Sequence, residues 1–526
     1  MILAAMIAVV AVQYGPAVWA AEMPTVKPMP GKYILTMGEY DVGLLGYVAD
    51  EFFIQGTAQS YKFVEPASVD GKWHIAPLQA APYTTRVVVA RPQANRKFNG
   101  TVVVEWLNVG GGRDVPSHWI AAHRELTRKG YAYVAVSAQK GGIDGGSGVR
   151  DTHTAPLKLL DSQRYGSLSH PGDAYAFDIF SQVGRVLKEP DSGGLLPGLK
   201  IKHVLAVGES QSALFLLSYV DAIDPLDRVY DGFLIHSRLA RPAPLDGSSV
   251  FAAPHPNAPP VVRLRPDVRV PVLTVITEND LLGISSAHLK AIGYSAVREP
   301  DSRLARTWEI AGTAHADNYN FIIGFIDSGQ LPFDQLAQLW RPTQDVLSSH
   351  FDAPMNGNPA HHYVVMAALD ALHRWVSSGT VPARSPRIAL VPDSANQARR
   401  DPRGNALGGI RTPWVDVPIA CYSGEGNGGN GQAALAGTTA AFSARTLSQL
   451  YPGGRRDYLS RFSASLDATI KHGFILPSDR QEILKLAGLE FDAVTHTDIT
   501  RFEGDQPWNR SHQYATSSNA TRAAGR

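Results

Sequence analysis

Short apolar runs, separated by turn residues and by stretches of helical period, occupy the first two thirds of the chain. Tyr47–Tyr61 and Tyr83–Arg91 are rich in β-branched and aromatic residues, with turn residues around them, as strands are. Asn99-Gly100 marks a tight turn into Thr101–Leu107, a continuous apolar run that predicts a strand buried on both faces. Trp119–Arg128 carries a helical pattern that Gly130 ends, and Tyr131–Ser137 is another buried run. Tyr175–Leu187 predicts a helix, Glu189–Gly198 a loop, Val204–Val207 a strand and Ser212–Val220 an apolar helix. Further strands are predicted at Tyr230–His236, Val270–Ile276 and Thr307–Ile310. Strands alternating with helices imply right-handed crossovers and a largely parallel sheet covered on both faces, the α/β class. In such sheets reactive groups collect at the carboxyl ends of the strands.

The remaining third reads differently. His361–Ser377 predicts an amphipathic helix with Val365, Leu369, Leu372 and Trp375-Val376 on one stripe. Arg387–Val391 and Ile410–Val417 look like paired strands around a polar loop, and Gly424–Gly431 like a flexible Gly/Asn linker. Ala440–Leu450, Tyr458–His472 and Pro477–Ala487 predict helices. The organisation expected is a core over 21–330, a C-terminal extension packed on it over 331–494, and a polar, disordered tail over 495–526.

Composition narrows the function. A formal net charge of +1, with no long Lys/Arg run, provides no electrostatic footprint for nucleic acid. Met1–Val12 is almost wholly apolar, and Val18-Trp19-Ala20 offers small residues where a signal peptidase inspects them. A leader over 1–20 and a secreted or periplasmic protein are therefore expected, with no stable membrane insertion once it is removed. The leader lacks a basic n-region, which a start codon further upstream would explain. Cys421 is the only cysteine, so no intrachain disulfide forms, and it reads as a small structural hydrophobe.

The chemistry is concentrated in Gly208-Glu209-Ser210-Gln211-Ser212, between the Val204–Val207 run and a helical pattern. A serine there is lifted on a sharp strand-to-helix turn, the nucleophile elbow. Such motifs usually end in Gly where this chain has Ser212, and a loose Gly-x-Ser-x-small pattern arises about once by chance in a chain of this glycine content. Context decides. A serine hydroxyl needs a base, and the base an orienting acid, in the order Ser, acid, His on this type of fold. The strand Pro271–Ile276 empties into Glu278 and Asp280, and Thr307–Ile310 empties into a loop of small residues carrying His315. Either Asp280 or Glu278 serves as the acid.

The oxyanion donors are expected from Gln211, which follows the nucleophile, and from the loop opening Asn108-Val109 and continuing through three glycines, which otherwise reads as a plain turn. His170-Pro171-Gly172-Asp173 reads as a turn with Asp173 as an N-cap, although His170 could line a pocket. Trp106, Trp119, Tyr165 and Tyr319 are placed to wall an apolar site or, alternatively, to pack the core. No phosphate-loop or dinucleotide fingerprint occurs. His361-His362 diverge on a helix and no metal-ligand spacing is present, so no metal and no cofactor are expected.

With those residues in view, the chain resembles the α/β-hydrolase fold over about Tyr47–Asn320. More closely it is similar to a bacterial, often exported family of α/β-hydrolase-domain proteins. Val104-Glu105-Trp106-Leu107-Asn108-Val109, Arg164-Tyr165-Gly166-Ser167-Leu168, His170-Pro171-Gly172-Asp173, Gly208–Ser212, Ala311-Gly312-Thr313-Ala314-His315 and Gly408-Gly409-Ile410-Arg411-Thr412-Pro413 carry the resemblance. It implies a serine hydrolase, an esterase acting on a small-molecule ester, with Ser210 and His315 carried over. Trp106, Tyr165 and His170 are the expected substrate contacts. Amide or thioester cleavage, acyl transfer or a lyase step on the same triad, and an inactive binding protein, stay open as alternatives. Dehalogenase chemistry is set aside because the elbow carries Ser rather than Asp.

Overall fold

The computed structural model describes residues 22–146, 155–250, 260–285, 290–346, 349–427 and 432–496. The expected leader over 1–20 lies outside them, as does most of the expected tail. Nine strands form one sheet: β1 (Thr25–Pro28), β2 (Tyr47–Phe63), β3 (Ile75–Pro92), β4 (Thr101–Trp106), β5 (Ala132–Val136), β6 (His203–Glu209), β7 (Gly232–His236), β8 (Val272–Thr277) and β9 (Ala305–Ile310), in the order β1-β2-β3-β5-β4-β6-β7-β8-β9. β1, β2, β3 and β5 pair antiparallel. From β5 through β4, β6, β7 and β8 to β9 every pairing is parallel. This is the largely parallel α/β sheet expected from the alternating pattern, and the α/β-hydrolase architecture that the resemblance implies.

The parallel strands are buried on both faces, which is why they read as unbroken apolar runs. Their alternation divides the interior into two cores. Val102, Val104 and Trp106 of β4 and Val204 and Ala206 of β6 face Phe177 and Phe180 of α1 (Ala176–Lys188) and Phe215 of α2 (Gln211–Ser218). Val103, Leu205, Val207, Leu234 and Val275 face the other way, toward Trp119 and Leu126 of the helix Ser117–Lys129. That second core also takes in Val364, Ala367, Ala368 and Leu372 of α3 (Ala360–Ser378).

α3, which falls in the extension expected to pack on the core, contributes to the sheet's own core. Its predicted single stripe is corrected, because Ala360–Leu369 is buried all round. The sheet takes one side. On the other, Trp414 stacks against Tyr363 at 5.8 Å and meets Phe462 edge-on at 5.6 Å. Phe462 belongs to α4 (Gly454–Lys471), which packs with α5 (Arg480–His496). Glu482 of α5 takes a bidentate pair from Arg124, at 2.6 and 2.7 Å, tying the C-terminal helices to the Ser117–Lys129 helix.

Three further expectations are corrected. Residues 387–391 and 410–417 make isolated bridges (Ile388 with Gly408, Ile310 with Ile410) rather than a strand pair. Gly408 and Gly409 are both left-handed (φ 73° and 72°), and Pro413 then opens the short helix Pro413–Asp416, so the run cannot stay extended. The helix placed at 440–450 begins at Ala444, because Thr438–Ala441 is a strand paired with Ala420–Ser423. The stretch 424–427 of the expected linker is pinned: Gly424 N donates to Glu278 Oε1 at 3.2 Å and Ala353 N to Asn427 Oδ1 at 3.0 Å. Residues 428–431 lie outside the described residues.

The helix Ser117–Lys129 has no side-chain cap of its own. Glu105, projecting from β4, accepts instead from His118 N at 2.7 Å, Trp119 N at 3.1 Å and the Tyr133 hydroxyl at 2.6 Å. Burial pushes its carboxyl up to about 8. Glu105→Ala would orphan three buried donors, and equilibrium urea denaturation should show a loss of about 3 kcal/mol. An unchanged midpoint would mean that other groups satisfy this helix start.

Candidate active site

Ser210 follows β6 directly and takes φ 58°, ψ −118°, a conformation that side-chain-bearing residues adopt only when their surroundings impose it. Its N–H donates to the His236 carbonyl of β7 at 2.9 Å. Gly208, two residues earlier, leaves the turn room, since a Cβ there would lie 3.0 Å from the Ser212 carbonyl oxygen and crowd it. Ser212, the departure from the usual motif, has a structural role. Its hydroxyl donates to the Glu209 carbonyl at 2.8 Å and accepts from Glu209 N at 3.2 Å, closing the turn on itself. The result is an elbow with Ser210 half-exposed at the carboxyl edge of the sheet.

The next two groups converge on it. His315 Nε2 lies 2.6 Å from Ser210 Oγ, and His315 Nδ1 lies 2.5 Å from Asp280 Oδ1. Of the two acids left open by the sequence, Asp280 therefore faces the imidazole. Local chemistry explains why. Asp280 is the third residue of the short helix Glu278–Leu282, where a capping box with Thr277 fixes it: Asp280 Oδ2 accepts from Thr277 N at 3.0 Å and Thr277 Oγ1 at 2.6 Å. That leaves Oδ1 for His315. Glu278 points elsewhere, accepting from Gly312 N at 2.8 Å and Arg400 Nη2 at 2.9 Å, so it joins the acid loop, the histidine loop and the C-terminal segment.

Both titrating groups are shifted. Burial pushes the Asp280 carboxyl up, but the His315 charge and the hydrogen bonds from His315 and Thr277 outweigh it and hold the group below the usual carboxylate range. Burial pulls the His315 imidazole down, yet the charge and hydrogen bond of Asp280, with the charge of Glu209, push it up to about 9.

The other predicted site residues divide. Val109 and Gly110 lie against Gln211: Val109 N donates to Gln211 Oε1 at 3.3 Å, and a Cβ on Gly110 would sit 3.7 Å from Gln211 Cβ. The Gln211 N–H, in the first turn of α2, has no acceptor within its helix. Asn108 N is committed to the Val115 carbonyl at 3.0 Å, so its main chain is not an oxyanion donor. Its side chain holds Glu209 instead, donating to Glu209 O at 3.0 Å and Oε2 at 3.2 Å.

The polar atoms of Trp106, Tyr165 and His170 are engaged by partners other than Ser210. Trp106 is wholly buried, donating to Gln139 Oε1 at 3.1 Å, with its ring 4.7 Å from Phe180. Tyr165 donates to Glu51 Oε1 at 2.9 Å, and His170 is used on both nitrogens, by Ala138 O at 2.8 Å and Gly172 N at 3.2 Å. Aromatic residues near strand ends fill the core here, because the apolar face on which they lie is the one the helices cover. Asp173 is not an N-cap; it accepts from Gln139 Nε2 at 2.9 Å and Lys140 N at 2.7 Å. Among the described residues no group of three His, Cys, Asp or Glu side chains could hold a metal ion, and no helix is long and apolar enough to cross a membrane.

Residues 19–485 match the sequence model of a family described as an alpha/beta hydrolase domain. The chain belongs to that family. No curated protein sequence matches it. Solved structures similar to this hydrolase include a candidate dienelactone hydrolase from Klebsiella pneumoniae, 14% identical, covering 52% of this chain and 92% of that one with a TM-score of 0.28. Acetyl xylan esterase 1 from Thermoanaerobacterium sp. is 10% identical over 49% of this chain and 74% of that one, with a TM-score of 0.26. Est1E from Butyrivibrio proteoclasticus, solved with ferulic acid, is 12% identical over 43% and 86%, with a TM-score of 0.25. Family membership rests on the matched sequence.

Sequence reasoning missed the hydrolase residues that hold its histidine loop. Asn356 Nδ2 and Asn358 Nδ2 both donate to Gly312 O at 3.0 Å, and Asn356 Nδ2 also donates to Ser423 O at 2.9 Å. Ala316 N donates to Leu435 O at 3.0 Å. Nothing in the local pattern marks these asparagines, which lie over forty residues from the loop they hold. Glu209 was legible only as the acid beside the nucleophile.

Gly424 is the tightest of these contacts. A methyl there would stand 2.4 Å from Asn279 N and 2.8 Å from Thr313 O, between the acid and histidine loops. Gly424→Ala should cost about 1–3 kcal/mol of stability, read by thermal denaturation. An undiminished melting temperature would show that the segment can retreat.

Proposed function

We propose that this hydrolase is a serine esterase that forms an acyl-enzyme on Ser210. The carrying observation is the line Ser210 Oγ–His315 Nε2–Asp280 at 2.6 and 2.5 Å on a strained elbow. In the proposed reaction His315 Nε2 accepts the Ser210 proton as Oγ forms a bond to the ester carbonyl carbon. The same proton then goes to the leaving alkoxide as the C–O bond breaks. Water attacks the acyl-enzyme with His315 again as base, releasing the carboxylic acid and restoring the Ser210 hydroxyl. Asp280, ionised and held by Thr277, orients the imidazole and stabilises its charged form. The free N–H of Gln211 and the adjoining Val109 N–H, now lightly held by the Gln211 side chain, are the proposed donors to the tetrahedral oxyanion.

Hydrolysis of p-nitrophenyl acetate and butyrate tests this reading. Ser210→Ala and His315→Ala should each lower kcat by about a thousandfold or more with folding intact, and only chains bearing Ser210 should label with a fluorophosphonate. Wild-type turnover in Ser210→Ala would overturn the proposal. Cleavage of amides or thioesters in preference to these esters would keep the triad and replace the substrate class.

The pH dependence has a definite sign. Only neutral His315 can accept the serine proton, and its imidazole is held up to about 9. The kcat/KM profile, which reports the free enzyme, should therefore rise with pH through about 9 rather than through the ordinary histidine range. A limb at the ordinary position would mean that the two carboxylates bear less on the imidazole than their placement implies.

A further inference from the structure

His315 faces a second carboxylate that the triad reading leaves unused. Glu209, the residue before the nucleophile, places Oε1 at 3.7 Å from His315 Nε2, on the side of the ring away from Asp280. The separation is beyond a hydrogen bond, so Ser210 Oγ at 2.6 Å keeps the proton line to Nε2.

Glu209 is not free to swing away. Asn108 donates to its carboxylate and to its backbone carbonyl, and Ser212 holds its backbone from both sides. Only 8% of it is exposed, so water screens the pair weakly.

We infer that Glu209 is a positioning residue of the hydrolase, a second carboxylate that stabilises the His315 imidazolium from the Nε2 side as Asp280 does from the Nδ1 side. The inference rests on the proposed triad. When the serine proton reaches Nε2, the new positive charge lies between two anions instead of beside one, and this favours the charge arrangement of the tetrahedral intermediate. The cost falls on Glu209, whose carboxyl is held above the ordinary carboxylate range, burial pushing it up and the His315 charge only partly drawing it back.

The other groups around the pair fit this assignment. On α3, His361 also bears on Glu209, with its Nδ1 3.2 Å from Asp317 Oδ2. His236, opposite Glu209 in β7, and His118, on the Ser117–Lys129 helix, are both driven neutral by burial. Ser117 at the start of that helix is a hydrogen-bonding neighbour, and Asp280 is the remaining anion. Of the two histidines whose charge bears on Glu209, His315 bears most, with Nε2 3.7 Å from the carboxylate. Asn108 also accepts from Gly110 N at 2.8 Å, so the same contact couples Glu209 to the glycine loop.

Two readouts test this on the full chain. The His315 ring is titrated by NMR in 15N-histidine-labelled wild type and Glu209→Gln, with His315→Gln to assign the signal. In Glu209→Gln, which keeps an acceptor for Asn108 but removes the charge, His315 should titrate about one pH unit or more lower. The acid limb of kcat/KM should move down with it, and kcat on the alkaline plateau should fall about tenfold. Glu209→Asp, which keeps the charge, should hold the wild-type limb more nearly, and Glu209→Ala, which also removes the charge, takes the place of Glu209→Gln if that variant does not fold.

An unmoved titration in the uncharged variant, or a uniform loss of rate there with the limb in place, overturns the inference and leaves Glu209 a purely structural residue. Failure of the triad reading shows separately, as turnover retained in Ser210→Ala, because the NMR titration does not depend on catalysis.

Discussion

A serine at the end of a buried strand, with φ 58°, stays there only because its neighbours leave it no alternative. Such a conformation costs about 1–3 kcal/mol, and close packing has to offset it. Here β4 and β7 pair with β6 on either side, the His236 carbonyl takes the Ser210 N–H, and Gly208 admits the first turn of α2. The Ser212 hydroxyl replaces the bare glycine of the usual elbow with two hydrogen bonds. This turn fixes where Oγ stands at the sheet edge, and the positions of the other site groups follow from it.

The acid and the base arrive on separate loops from neighbouring parallel strands, β8 and β9. Loops of this kind are held by hydrogen bonds to their own backbone, since buried polar groups must be paired. Much of that holding comes from the last third of the chain. Asn356 and Asn358 clamp Gly312, Leu435 takes Ala316 N, and Arg400 reaches Glu278. The glycine loop is tied down from the opposite side, where Asp114 meets the wholly buried Arg86 at 2.5 Å and accepts from Ser137 Oγ at 2.5 Å. The family match over 19–485 takes in all of these segments.

Charge at the site is unevenly distributed. Asp280 and Glu209 both bear on one imidazole, whereas the histidines behind the elbow are neutralised by burial. Glu105, one strand away, is also buried but serves a helix start and is pushed toward its neutral form. Similar carboxyl groups therefore differ in role by what they face: a cation keeps one ionised, and backbone amides with a phenol hold the other in place.

Much of this was legible in the chain, and what was legible was local. Parallel strands buried on both faces had to be continuous apolar runs, so their places along the chain and the elbow between Val207 and Ser212 could be read directly. His315 was legible because small residues surround it after a strand. Whatever depended on direction or distance was decided only by the tertiary structure. Asp280 and Glu278 lie two residues apart and are chemically alike; the capping box with Thr277 turns one toward His315 and leaves the other to Arg400 and Gly312. Trp106, Tyr165 and His170 lie near strand ends or turns by sequence, but their side chains take partners inside the core. Asn356, Asn358 and Gly424 matter through contacts across long stretches of chain, and no local periodicity records such contacts. Periodicity fixes which face of an element is buried, whereas the partner of a single polar side chain is set by which distant segment packs against it.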